Sequence, residues 1–538
     1  MREEIGMSEQ KTNQETRRPY SYHTFIFPFL FQAGYKNISR EDFAQCLHKG
    51  FCPAVFESQK GTDNTIEYSR FRYFNQAARN AIYTEKWNDH AIVWNYCFNM
   101  DTLVQNQETA EKWHKGWDNP VRLILKKGAF QADLAVNEIR VKLFDTGVGM
   151  LVFELENYES ADENSVTKIN EYGRRVFRPF VTPEGECSLC ADEVHLAYGE
   201  QKIVDGCVSG AQVGNTDEIL LSPIISYWLT GEKKVVTTAT KAKEGEFYIE
   251  PIIDDRMFVA CVYNSPEFAS EICQWDFEQN QYRYISDATA EELSPNNIAR
   301  RFYEMVFIDA DGLTCQNRTK LAEMNQEHSY ARWIEYGTLT GISEYSMVCM
   351  TGDGKDIYNI NPFLTEYVEM IILVLAQRAS LLAFERAISE VTCKTKSKMT
   401  VEKIHRGYVA FESELLLAEV TSQQQGIELY DMMMKNLFIE KLKSDVESQI
   451  NSLYEIHTAD HESLESLLLN ILAIIGAADI VGSIVSDLVN KHLMSYLSKL
   501  LETPLELPQW ICTVLGTTLG FGLIMLIRKT ISPIKRKF

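Results

Sequence analysis

The sequence predicts an α+β cytoplasmic domain, then long stalk helices and a C-terminal two-helix transmembrane hairpin. Three observations lead there. Residues 20–360 mix strand-like alternation with short helical patterns. No proline occurs between Pro362 and Pro504, and two long apolar stretches follow one another near the C-terminus. At 538 residues and 45% hydrophobic content the chain can bury a large core in several structural units.

The opening stretch "MREEIGMSEQKTNQETRRPY" is polar and mixed in charge, without the apolar centre of a secretory signal, so residues 1–18 read as a flexible arm. The α/β domain is expected over 19–362. Its clearest unit is "EIRVKLFDTGVGMLVFELENY", where Ile139, Val141 and Leu143 alternate with Arg140 and Lys142. After the turn "DTGVG", Leu151, Phe153 and Leu155 alternate with Glu154 and Glu156, which predicts a hairpin. A helix follows in "NSVTKINEYGRRVFRPFV", opened by an asparagine or serine cap and closed before Pro179. Further strands are predicted at "TFIFPFLFQ", "HAIVWNYCFN", "MFVACVYN", "RFYEMVFID" and "YSMVCMTG".

Residues 363–466 are expected to be helical region and stalk. The run "EYVEMIILVLAQRASLLAFERAISEV" is apolar, but Glu369, Gln377, Arg378 and Glu385 divide it, so it reads as a buried or oligomer-facing helix rather than a span. "TSQQQG", ending at Gly426, marks a break between helices, after which one helix is expected to run from about Ile427 into the membrane. Phe438, Leu442, Val446, Ile450 and Leu453 recur three or four apart along it.

The first span is expected at 467–488, an external loop at 489–509, the second span at 510–527 and a basic cytoplasmic tail at 528–538. Trp510 to Ile527 holds 18 uncharged residues, close to the roughly 20 that cross a bilayer as a helix. Arg528, Lys529, Lys535, Arg536 and Lys537 follow it and place both termini in the cytoplasm, which points to a two-span protein of the cell (inner) membrane. Net charge is −22; less the tail's +5, the other 527 residues carry −27. So acidic a body argues against a nucleic-acid polymer as partner.

Drawn as a helix, the first span puts Asp479, Ser483, Ser486 and Asn490 on one face, continued backwards through Gly476, Leu472, Leu468, Glu465, His461 and His457. An intramembrane carboxylate normally faces water or a partner, so the stripe reads as a pore lining, with a helix–helix contact as the alternative. His457, His461 and Glu465 have the spacing of a metal or pH-sensing ring, and equally of a solvated face. Gly516 and Gly520 have the spacing that lets membrane helices pack closely. Arg174, Arg175 and Arg178 form a basic cluster suited to a phosphate-bearing ligand or to pairing with nearby acids. Cys187 and Cys190 have zinc-ligand spacing, with His195 and Cys207 downstream, against the plainer reading of buried or free thiols. No GxSxG, HExxH, kinase or Rossmann motif occurs, so an enzyme is not expected.

Over about 430–538, "SLYEIHTADHESLESLLLNILAII", "LELPQWICTVLGTTLGFGLIMLI" and "RKTISPIKRKF" resemble the stalk-to-pore junction, second span and tail of the CorA family of divalent-cation channels. The resemblance implies a homopentamer whose first span lines a pore gated by the cytoplasmic domain, with a divalent cation such as Mg2+ as permeant or regulatory ion. The family's Gly-Met-Asn signature is missing; the corresponding place reads "SDLVNKHLM", with Asn490 as the stand-in for the asparagine. Divergent CorA-like proteins without the signature serve as membrane effectors of type III CRISPR defence, opened by a nucleotide messenger, and this is the first competing reading. The second is a membrane-anchored cytoplasmic receptor or enzyme.

Overall fold

The computed structural model describes residues 17–31, 39–56, 65–103, 113–177, 189–206, 221–231, 249–276, 281–282, 297–352, 359–394 and 398–455, with isolated turns between 468 and 518. By their contacts the residues form two units, Met1–Lys396 with Lys403–Gln449, and Ser397–Glu402 with Ile450–Phe538.

The first unit is mixed α+β. Its strands are β1 (Ser21–Leu30), β2 (Phe51–Pro53), β3 (Val93–Phe98), β4 (Val121–Lys127), β5 (Phe130–Phe144), β6 (Val148–Asn157), β7 (Glu193–Tyr198), β8 (Gln201–Gly206), β9 (Glu250–Pro251) and β10 (Phe258–Asn264). A separate ribbon, β11 (Trp275–Asp276) with β12 (Gln281–Tyr282), precedes β13 (Ser329–Tyr330), β14 (Thr338–Ile342) and β15 (Ser346–Thr351). The main sheet runs β13-β14-β15-β10-β1-β6-β5-β4-β7-β8, with β9 on β1, and β3 linking β2 to β5. Among the described strands only the β10–β15 pairing is parallel.

The predicted hairpin is β5 and β6. Gly147 takes φ 84° at its turn, a left-handed conformation that suits glycine. Gly149 leaves room for the Phe29 ring, which a Cβ there would meet at 2.3 Å. Strand alternation sends Phe25, Phe27, Phe29, Ile139, Val141, Leu151 and Phe153 into the main core. They share it with Val166 and Ile169 of the helix Glu163–Gly173, with Trp228 of the helix Pro223–Thr230, and with Phe302 and Val306 of the helix Ile298–Val306.

That last helix corrects an expectation, because "RFYEMVFID" reads as a strand in the sequence. Ala299, Phe302 and Val306 recur at three and four and are fully buried. Asn297 caps the helix, its Oδ1 accepting from the backbone N–H of Ala299 and Arg300. A short apolar run carries both periods, and here the cap and the buried stripe select the helix. The helix Glu163–Gly173 starts earlier than expected, capped by Asp162, whose Oδ1 accepts from Ser165 N at 2.9 Å.

The opposite face of the sheet is covered too. Val368–Lys394 is an α-helix continuing from a π turn at Phe363–Tyr367. The helical stretch Ile360–Val391 is long and apolar enough to cross a membrane, and 72% of its most apolar stretch is buried inside the protein. Two of its polar side chains find fixed partners in neighbouring elements. The Gln377 amide donates to Leu415 O at 2.9 Å and pairs with Tyr430 Oη at 2.9 Å. Ser380 Oγ meets Thr146 Oγ1 in the hairpin turn at 2.8 Å.

The expected single helix from Ile427 is two helices. Gln424–Asn436 ends at Leu437, and helix resumes over 439–455. Phe438 between them is half exposed with φ 59°, a conformation that costs a non-glycine residue roughly 1–2 kcal/mol. Gly426 lies inside the helix Gln424–Asn436 rather than at its break, which falls between Glu414 and Gln424. In the second unit the segment expected as an external loop carries the helix Ser495–Leu501.

Between the two faces, His23 on β1 links the sheet to the helix above it. Its Nδ1 lies 2.6 Å from Asn170 Oδ1, to which it donates, and its Nε2 lies 2.8 Å from Ser21 Oγ, which can donate to the neutral ring. Burial lowers its pKa to about 4, against the raising effect of the Asn170 bond. Between pH 6.5 and 4 the unfolded chain therefore takes up a proton that the folded chain refuses, and stability falls as pH drops. Urea unfolding is expected to show a loss of up to about 1.4 kcal/mol per pH unit in that window from this residue. The loss should shrink in His23→Gln; an unchanged pH slope in that variant would remove His23 as its source.

Candidate functional site

The site grows from one irregularity in β5. A bulge between Val136 and Glu138 shifts the register against β6. The bulge residue Asn137 is buried, and its Oδ1 accepts from Asn119 Nδ2, which also donates to Val136 O at 2.8 Å. Before the bulge, β5 pairs with β4; beyond it, the same edge pairs with β3. The sheet forks there, and a cavity of about 520 Å³ opens on the face turned toward the helix Val368–Lys394.

Alternation along β5 brings Glu138, Arg140 and Lys142 to that face, and register brings Glu154 opposite Glu138 and next to Thr24 of β1. The helix supplies Glu369. Its carboxylate accepts from Arg140 Nη1 at 2.5 Å and pairs with Lys142 Nζ at 2.7 Å. The other arm of Arg140, Nη2, donates to Glu154 Oε1 at 2.5 Å, and Lys142 Nζ also donates to Ile82 O at 2.9 Å. Lys115 sits 3.6 Å from Glu138 at the more exposed rim.

Electrostatics follow from burial set against pairing. Burial pulls Arg140 down, but the carboxylates of Glu154, Glu369 and Glu138 hold it well above the ordinary arginine range. Burial dominates at Lys142, which lies below the usual lysine range although Glu369 opposes the shift. At Glu369 burial raises the pKa, yet Lys142 and Arg140 outweigh it and keep the carboxylate ionised. At Glu154 burial wins and the pKa is raised despite Arg140.

Chemically the cavity is a binding surface of both signs. Arg70, Lys115, Arg140 and Lys142 stand against Glu138, Glu154, Glu156 and Glu369, and the buried Arg70 Nε and Asn95 Oδ1 have no hydrogen-bond partner among the described residues. Its one thiol is a poor nucleophile, because burial and the Glu138 carboxylate push Cys97 up to about 12. The π turn at Phe363–Tyr367 borders the cavity through Leu364 and Thr365.

The residues singled out in the sequence lie elsewhere. Arg174 and Arg175 are buried and both paired with Glu171, and Arg175 Nη1 reaches Asp255 at 2.8 Å. They tie the end of the helix Glu163–Gly173 to the loop before β10, the acid-pairing alternative of the sequence reading; Arg178 lies outside the described residues. Cys190 is buried, and His195 Nε2 meets Glu193 Oε2 at 2.9 Å, whereas Cys187 and Cys207 lie outside the described residues. Among the described residues no three metal-ligating side chains cluster. Leu468 and Leu472 are described and exposed. Gly476, Asp479, Ser483, Ser486, Asn490, His457, His461, Glu465, Gly516 and Gly520 lie outside the described residues.

The network of Arg140, Lys142, Glu154 and Glu369 was not singled out in the sequence. Its signal is there: charged residues alternate with apolar ones on the β5–β6 hairpin, and one glutamate opens a long apolar helix. Each charge has a natural reading as a solvent-facing residue, and only the stacking of helix on sheet makes them partners.

No family model matches this chain, and neither a curated protein nor a solved structure is significantly similar to it.

Glu369→Gln leaves two buried cations with one anion fewer. It is expected to lower the unfolding free energy by about 3 kcal/mol. Adding Lys142→Met should recover much of that loss in chemical denaturation. A Glu369→Gln protein as stable as the parent would show that the pairing does not hold the helix to the sheet.

Proposed function

We propose that the chain is a CorA-like homopentameric channel of the cell (inner) membrane, passing metal cations such as Mg2+ under the control of its N-terminal sheet domain. In this reading two spans, 467–488 and 510–527, form a hairpin with both chain ends in the cytoplasm. The pore is lined by Leu468, Leu472, Gly476, Asp479, Ser483, Ser486 and Asn490, and Gly516 and Gly520 pack the outer helix against it.

The observation that carries the reading is where apolar surface remains uncovered. In the first unit the sheet and helices bury most of their large apolar side chains, and the exposed ones, Trp117, Tyr336, Val409 and Phe438 among them, stand singly along the chain. In the C-terminal part Leu468, Leu469 and Leu472 are 58%, 66% and 63% exposed, and Val514 in the other apolar stretch is 56% exposed. Leucines at this spacing on successive helical turns need lipid or sister helices as their solvent. Asp479 on the same face supports a hydrated path, because an intramembrane carboxylate is costly against lipid.

A second reading, a ligand-gated membrane effector of the same architecture, is favoured by the polar cavity of about 520 Å³ between sheet and helix. That volume suits a nucleotide-sized ligand, and cavities of this size are typical small-molecule sites.

Purified protein in liposomes is expected to conduct Mg2+, and Asp479→Leu to reduce flux to that of protein-free vesicles. Unchanged conductance in this variant would refute the pore assignment, and a monomeric mass in detergent would refute the channel altogether. Flux that requires an added nucleotide would transfer the proposal to the effector reading.

A further inference from the structure

A second cavity, of about 320 Å³, lies away from the fork in the sheet, between the loop before β10, the turn joining β14 to β15, the long helix and the joint at Phe438. Two of its four charged side chains satisfy each other. Arg256 donates to Asp254 through Nε at 2.6 Å and Nη2 at 2.5 Å, and stacks its guanidinium 4.5 Å over the Tyr345 ring. Asp254 also accepts from the backbone N–H of Asp255 at 2.7 Å.

The other two charges are left over. Arg378 and Glu344 are both half-buried, and neither makes a hydrogen bond or an ion pair within 4.0 Å with any described residue. The buried Arg378 Nε has no partner. Burial lowers the guanidinium's pKa, and the carboxylate field that opposes this comes first from Glu344 and then from Asp254. A simple anion on Arg378 would meet those carboxylates, and a simple cation on Glu344 would meet Arg378. A ligand carrying both charges meets a complement at each end. The remaining wall is apolar, made by Ile253, Met257, Phe258 and Leu375.

We infer that this cavity binds a zwitterion, an α-amino acid with an apolar side chain, its carboxylate on Arg378 and its ammonium on Glu344. The bidentate fork of arginine matches a carboxylate, and an apolar wall beside a convergent polar pair is the usual make-up of a small-molecule site. Phe438 lines the same cavity. The ligand therefore touches the strained joint between the helix Gln424–Asn436 and the helix over 439–455. The site stands on the first unit alone and does not depend on the channel reading.

The test uses the full chain in detergent and isothermal titration with L-valine, L-leucine and L-phenylalanine. For leucine the controls are 4-methylpentanoate, which lacks the ammonium, and isoamylamine, which lacks the carboxylate. At least one amino acid is expected to bind, and both single-charge analogues of leucine to bind at least about tenfold more weakly than leucine itself if leucine is the one. Arg378→Met should abolish binding and Glu344→Gln should weaken it by about tenfold or more. Arg378 makes no hydrogen bond or close ion pair with a described residue, so its loss should not harm folding, and an unchanged melting temperature of Arg378→Met checks this. Binding of 4-methylpentanoate as tight as that of leucine would overturn the zwitterion assignment, and so would silence of all three amino acids at millimolar concentration. Liposome flux is a separate readout: Mg2+ conduction without amino-acid binding sinks this inference alone, and binding without conduction sinks the channel alone.

Discussion

The first unit depends on a carboxylate buried between two cations. Glu369 joins the head of a 27-residue apolar helix to Arg140 and Lys142 in the middle of the central hairpin. Removing three charges from water is expensive, and the cost is met only because each has a partner at hydrogen-bond distance and Arg140 has a second one in Glu154. The pairing selects a position along the helix. An apolar helix on an apolar sheet could slide by a turn at little cost, whereas displacing Glu369 would strand Arg140 and Lys142. Gln377 and Ser380 repeat the device further along, toward Leu415 and Tyr430 and toward the hairpin turn.

This arrangement also explains why the larger cavity exists. The bulge at Asn137 divides β5 into a half that pairs with β4 and a half that pairs with β3, and the fork leaves space that helix and sheet cannot fill with apolar side chains. Polar groups already committed to the clamp line that space. A ligand entering it would compete with Arg140 and Glu138 for their partners and so act on the contact that positions the helix. The smaller cavity, with Arg378 and Glu344, lies about the same helix some turns later, beside the joint at Phe438.

Two kinds of apolar surface therefore coexist in one chain. The helix over Ile360–Val391 is long and apolar enough to cross a membrane in spite of its polar interruptions, yet protein covers most of it. Leu468, Leu469, Leu472 and Val514 meet no such cover. Hydropathy alone treats these segments alike; what separates them is whether the chain supplies a complementary surface, and for the first it supplies β1 and β6 of the sheet together with the helix Gln424–Asn436.

The sequence by itself determined the local elements. Alternation marked the β5–β6 hairpin, β1, β3, β10 and β15, the polar interruptions marked Val368–Lys394 as a helix for burial, and proline-free periodicity marked the helical region, because these signals lie within a few residues of one another. It misread "RFYEMVFID" as a strand, since period two and period 3.6 coincide over so short a run, and the cap at Asn297 and the buried stripe made it a helix. Tertiary structure decided the rest. Arg140 and Lys142 read as solvent-facing until a helix more than 200 residues away supplied Glu369, and Arg174 and Arg175 read equally as a ligand site or as partners of nearby acids until Glu171 and Asp255 were placed beside them. A charge is visible in a sequence, but its partner is a matter of distance, and distance is set only when the elements pack.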